Sequence, residues 1–265
     1  LTDGLPTAGE TRVQKILEDV LGQSENMNSR IFTFGVGYDV NTLLLDTLSH
    51  ENGGFTTYVE PGENIEDSIA SFYDRVRTPL IWALQSRFTG VDVYDVYPVT
   101  MPDLFEGDML EIVGRYRAGG MGEITLSGQG TGLDESFSEE VEFALGWTDH
   151  EYLKKIWAGR AIGYLLTQIR LNGESPELVE RVRELGETYG IVTPYTSFFA
   201  NPEEGDDGMG EFMRSLNNMN SDPTAPQNSS GQSAVQASEA LDQLSNLSAA
   251  DEVEAFVFNT QKILN

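Results

Sequence analysis

Cysteine is absent from the 265 residues, which removes disulfide frameworks, cysteine-ligated zinc and thiol nucleophiles together. Imidazole is almost absent too. The two histidines, His50 and His150, each stand beside polar residues and read as surface side chains. Basic residues are scarce, with 16 Lys plus Arg against 43 Asp plus Glu and a net charge of −27. Binding a phosphate backbone or an anionic lipid surface needs a basic patch that displaces counterions, so this balance argues against both. High salt is one environment that tolerates it. No apolar run reaches the ~20 residues that a membrane span requires. With no thiol, no G-x-S-x-G and no His–carboxylate spacing on one helix, hydrolase chemistry finds no support and the chain is expected not to be an enzyme.

Apolar residues make up 39% of the chain, and they fall in separate periodic blocks. Thr7 and Glu10 have the spacing of a capping box ahead of Val13, Ile16, Leu17, Val20 and Leu21, one face of a helix that Gly22 can stop. Arg30 to Gly37 is a short apolar run bounded by glycine, the pattern of a buried strand. Asn41 to His50 reads as a second helix, Phe55 to Val59 as a strand, and Ile65, Ile69, Phe72 and Val76 as the stripe of a third helix ending before Pro79. Strands alternating with helices indicate a parallel sheet. From residue 88 to 145 the period becomes strand-like over Val91–Pro98, Met109–Arg117, Gly122–Gly128 and Ser136–Leu145. Turns rich in Gly, Asp and Pro join these runs, so an antiparallel sheet or half-sandwich is expected. Asp149 to Asn172 returns to a helical period, and Pro176 opens a further helix carrying Leu178, Val179, Val182 and Leu185. Tyr189 to Ala200 looks extended, with Pro194 marking an edge strand or strand end.

Residues 201–232 are too polar to offset the entropy of ordering and are expected to be a disordered linker, with 233–265 a tail carrying one possible helix near Val235–Leu247. The acidic stretch Pro202–Gly208 lacks the ligand spacing of an EF-hand loop and reads as solvated linker. Ser127–Gly132 has neither a following helix nor a lysine, so it is read as a hairpin loop and not a phosphate cradle. Trp157, Tyr164 and Tyr195 are read as core.

Two stretches carry a family resemblance. "LTDGLPTAGET" followed by "RIFTFGVG" resembles the second half of a von Willebrand factor type A domain. Ile156-Trp157-Ala158, Ile162 to Leu166, Gln168 to Glu174 and Tyr189 to Phe198 resemble the region after that domain in inter-alpha-trypsin inhibitor heavy chain-like proteins, especially bacterial ones. "PDLFEGDMLEIVGRYR" and "SGQSAVQAS" fit the same group. The resemblance implies an α/β fold for 1–79 with part of a Rossmann-like parallel sheet, then an antiparallel β-sandwich with helices over 88–200 and a disordered polar tail. Leu1 reads as the continuation of a buried strand. In that family an N-terminal inter-alpha-trypsin domain and the first half of the A domain precede this point, so the chain is expected to be a piece of such a protein.

The resemblance further implies a metal-ion-dependent adhesion site. Its ligands come from a DxSxS loop, a later Thr and the Asp of the TDG turn, here Asp3 between Thr2 and Gly4. Oxygen ligands of this kind suit Mg²⁺ or Ca²⁺ in the full-length parent. A single carboxylate is expected to hold none in this chain alone. The implied partner is a protein or matrix ligand whose carboxylate completes the metal shell, in a secreted or cell-envelope setting. The rival expectation is an intracellular A-domain scaffold working with a AAA+ ATPase. The family's polysaccharide attachment uses an Asp-Pro-His-type element, which this sequence does not contain.

Overall fold

The computed structural model describes residues 5, 8–24, 30–130, 134–144, 151–196, 229–248 and 258–259. The elements in chain order are α1 (Val13–Ser24), β1 (Thr33–Val36), α2 (Thr42–His50), β2 (Thr56–Val59), α3 (Ile65–Val76), β3 (Pro79–Thr89), β4 (Val93–Tyr97), β5 (Leu104–Phe105), β6 (Met109–Leu110), β7 (Val113–Tyr116), β8 (Gly120–Gly130), β9 (Asp134–Phe143), α4 (Glu151–Asn172), α5 (Pro176–Tyr189), α6 (Gln232–Ser245) and β10 (Phe258–Asn259). They group into two compact units, residues 1–68 with 162–246 and residues 69–161 with 247–265.

The first unit is α/β. β1 and β2 pair in parallel, with Thr33 opposite Thr56 and Val36 opposite Val59. Asn41 caps α2, its side-chain oxygen accepting the Leu44 N–H at 3.1 Å, and Leu44 and Leu45 turn inward. Gly35 is required where it stands, because a Cβ there would lie 2.5 Å from the Tyr58 ring. α6 lies so close to the second half of α4 that a Cβ on Gly163 would come within 2.9 Å of Leu244 Cβ. α4 carries residues of both units, and each one from Ile156 to Gly163 is buried. A helix enclosed on every side needs no amphipathic stripe, so the single stripe that its sequence suggests understates the burial.

The second unit is antiparallel. β5, β3, β8 and β9 form a four-stranded sheet in that order, β4 pairs with β7, and β6 pairs with β10. Ile81, Leu84, Leu104, Leu110 and Leu126 make its core, with Leu80, Met101, Ile112 and Phe137 packed against them. β3 departs from a regular ladder at Ala83, which has φ 53° where the register with β8 shifts.

Several local expectations are corrected. Thr7, the expected cap of the capping box with Glu10, lies outside the described residues. The Glu10 carboxylate accepts the Arg12 N–H at 2.9 Å and holds the Arg12 guanidinium, and α1 starts at Val13. Gly22 does not stop α1, which continues to Ser24; one glycine costs a helix only about 1 kcal/mol. Ser127–Gly130 is strand, since β3 and β9 pair with it from both sides, while 131–133 lie outside the described residues. Over 191–196 the chain turns where an edge strand is expected. Gly190 ends α5 in the left-handed conformation, the Ile191 N–H returns to the Gly186 carbonyl at 2.9 Å, and Thr196 Oγ1 accepts the Thr193 N–H at 2.7 Å. Of the expected linker, 201–228 lies outside the described residues. Ser229 and Gly231, in contrast, hydrogen-bond to the first unit's Thr42 and Tyr38.

Candidate functional site

Open parallel sheets present ligand sites outside the carboxyl ends of their strands. In the first unit that edge is the turn Gly37–Asn41 after β1 and the segment from Glu60 after β2. The Gly37 N–H closes it by donating to the Val59 carbonyl at 2.9 Å. The segment before α6 then joins it: the Thr42 N–H donates to the Ser229 carbonyl at 2.7 Å, and the Gly231 N–H to the Tyr38 carbonyl at 3.0 Å. Val235 packs with Val40 and Leu45 beneath Tyr38 and Tyr58. The tail helix is therefore docked beside the edge where the sheet presents its loops.

Below this edge lies a closed polar network around Asp46. Tyr58 donates to one Asp46 oxygen at 2.7 Å, and the Ser238 hydroxyl donates to the other. Arg170 approaches the same carboxylate at 3.1 Å, donates to Ser238 Oγ at 2.7 Å, and donates also to Thr42 Oγ1. The Arg170 side chain is 4% exposed and that of Asp46 23%. Among the described residues Arg170 Nε has no hydrogen-bond partner. Burial first, and then the Asp46 carboxylate, push the Tyr58 phenol above its ordinary range. The network uses both Asp46 oxygens and ties α2, β2, α4 and α6 together.

A second electrostatic feature sits on α6. Burial, followed by the negative charges of Glu60, Glu63 and Asp242, pushes the Glu239 carboxyl up to about 7. Burial, and then the charges of Glu60, Glu239 and Glu63, raise the Tyr38 phenol. Among the described residues no group of three or more His, Asp or Glu is arranged to hold a metal ion. The expected ligand Asp3, with Thr2 and Gly4, lies outside the described residues, as do His150 and Pro202–Gly208. His50 is exposed at the end of α2, 4.0 Å from Glu51. Trp157 is buried, whereas Tyr164 and Tyr195 are half-buried, Tyr195 donating to Glu174 at 2.6 Å. Sequence reasoning missed Asp46, Arg170, Ser238 and Glu239. The only signal for Arg170 was a charged residue at a core-facing helical position between Ile169 and Leu171.

No family model matches the chain. It is similar to inter-alpha-trypsin inhibitor heavy chain H2 of Mesocricetus auratus, 28% identical over 222 residues that make 79% of this chain and 23% of that protein. Heavy chain H3 of Homo sapiens is 28% identical over 220 residues, 78% of this chain and 25% of that protein. Heavy chain H4 of Bos taurus is 27% identical over 217 residues, 77% and 24% respectively. The chain thus spans about a quarter of the length of these curated relatives. Among solved structures, a von Willebrand factor type A protein from Catenulispora acidiphila gives a TM-score of 0.45 at 13% identity, covering 89% of this chain and 62% of that one. The ArnB paralog VWA2 from Sulfolobus acidocaldarius gives 0.41 at 13%, covering 92% and 61%. Over more than three quarters of its length this chain is similar to the inter-alpha-trypsin inhibitor heavy chains.

Proposed function

We propose that the chain is part of a non-enzymatic, metal-dependent protein-binding module in a secreted or cell-envelope adhesion protein. The observation that carries this reading is the in-register parallel pair β1–β2, with β1 turning at its carboxyl end into the capped helix α2, in a chain similar to the heavy chains. Asp3 would supply one carboxylate to Mg²⁺ or Ca²⁺ in the longer protein, and other loops the rest. Bound there, the ion would supply an open coordination position for a partner's carboxylate. The described residues offer no metal-holding group of their own, so this chain's contribution is to position one ligand loop.

Calorimetric titration with Mg²⁺ tests the reading on the 265-residue chain and on a version extended at its N-terminus through the first half of the A domain. The short chain is expected to show no specific site of millimolar affinity or better. The extended one is expected to show such a site and to lose it on Asp3→Ala. Tight binding by the short chain that survives Asp3→Ala would overturn the assignment.

A further inference from the structure

In a chain so poor in cations, one arginine of the second unit stands with its hydrogen-bonding edge unused. Arg115, on β7, is exposed, and its guanidinium carbon lies 4.9 Å from the centroid of the Trp157 ring and 5.6 Å from that of Tyr94, over both faces. Trp157 is fixed beneath it: it is 4% exposed, its indole N–H donates to the Asp95 carbonyl at 2.8 Å, and Tyr97 packs beside it at 6.4 Å. Two residues along, Arg117 lies 4.7 Å over the other partner of this stack, Tyr94. Arg117 is already committed, since its Nε meets Asp92 at 2.7 Å. Among the described residues Arg115 has ring faces as partners and no carboxylate or carbonyl acceptor.

Stacking holds the guanidinium plane through its faces and leaves the in-plane N–H donors available. Such a fork matches a carboxylate bidentately, and its side-chain freedom has been given up before any ligand arrives. Arg117, just past the end of β7, adds a second positive charge. We propose that Arg115, seated on Trp157 and Tyr94 and flanked by Arg117, is a metal-independent docking point for a Glu or Asp carboxylate in an acidic segment of a partner protein. A nucleic acid or other phosphate polymer fits worse. Its affinity comes from several cations displacing counterions, and this surface has one open fork within a net charge of −27. The long-range repulsion that this charge exerts on an acidic ligand fades over about 8 Å at physiological ionic strength.

The site is tested on the full chain at physiological ionic strength, with EDTA present, by following the Arg Nε–H resonances during titration with a hexaglutamate peptide. The Arg115 signal, assigned by its disappearance in Arg115→Lys, is expected to shift with hexaglutamate and to stay put with hexaglutamine. Arg115→Lys keeps the charge but loses the planar fork and its stacking, and is expected to weaken hexaglutamate binding about tenfold, read for each variant by calorimetric titration. Arg183→Lys, on α5, is expected to bind as the parent does. Circular dichroism establishes that each variant is folded. Binding unchanged in Arg115→Lys, no response to hexaglutamate, or a stronger response to inorganic polyphosphate than to hexaglutamate would each overturn the proposal.

Discussion

Arg170 shows how much one buried side chain can hold in this molecule. Its head meets Asp46 of α2, Ser238 of α6 and Thr42 at the start of α2. Moving two charges out of water costs several kcal/mol per ion, so such a pair gains stability only when its remaining donors and acceptors are satisfied. Here Tyr58 and Ser238 satisfy the carboxylate. Removing one partner strands the other. Arg170→Ala is therefore expected to destabilise the protein by about 3–5 kcal/mol. Asp46→Ala should cost a comparable amount, because it leaves a guanidinium enclosed. The double variant should fall short of the sum by about 0.5–3 kcal/mol, the coupling of residues in one network. Urea unfolding followed by circular dichroism gives all three values. Additive losses would mean that the ion pair is incidental and that the neighbouring packing carries the stability.

At the scale of elements, the docking of α6 carries a built-in electrostatic opposition. Its apolar face, with Val235, Leu241 and Leu244 buried, favours the packed state. Glu239 on the same helix faces Glu60 and Glu63 after β2, Asp242 one turn along, and the Tyr38 phenol. Burial and those charges raise its carboxyl to about 7, against about 4.3 for an unperturbed glutamate. Between those values the folded chain binds more protons than the unfolded one, so stability falls as pH rises through this window and levels off above it. Glu239→Gln removes the penalty. It should flatten that part of the pH–stability profile and stabilise the protein at pH 8 by on the order of 1 kcal/mol, allowing for solvent screening at a half-buried position. Thermal melts of both proteins at intervals across the window check it, and an unchanged slope would exclude Glu239 as the group responsible.

The same helix shows what was legible in the sequence. α6 could be read from its apolar spacing, as could α2, α5 and the strands β1, β2 and β8, because each depends on a local period or cap: Asn41 for α2, and Ser175 with Pro176 for α5. β3 was not legible. It begins on a proline, and its irregularity at Ala83 interrupts the alternation that would have marked it. The polar network was invisible for a different reason. It joins residues 42, 46, 58, 170 and 238, and no local pattern distinguishes a serine or arginine that will meet a distant carboxylate from one that will meet water. The heavy-chain resemblance was carried by contiguous residues and could be read directly, whereas Asp3 lies outside the described residues.

For the whole molecule the controlling quantity is charge. With 43 acidic residues against 16 basic, the folded chain concentrates mutual repulsion that the expanded chain relieves. Salt acts on this in two opposing ways. It screens the repulsion, which favours the compact state, and it weakens attractive surface pairs such as Lys15–Asp19 at 2.8 Å and Arg181–Glu184 at 3.2 Å. The second effect is small, because exposed pairs contribute about 0–1 kcal/mol each and the basic residues are too few to pair most of the acidic ones. Repulsion therefore decides the sign. The melting temperature should rise as NaCl is added from low to physiological ionic strength, by about 2–4 °C for each kcal/mol gained in a chain of this size. MgCl2 matched to NaCl in ionic strength separates diffuse screening from specific binding. Near-equal shifts in the 265-residue chain would fit cations held only by the general field. An additional Mg²⁺ shift would require a localised site, and its loss or persistence in Asp3→Ala would say whether that site includes the TDG turn. A melting temperature that falls with added NaCl would mean that paired charges outweigh the acidic surplus, against the composition argument.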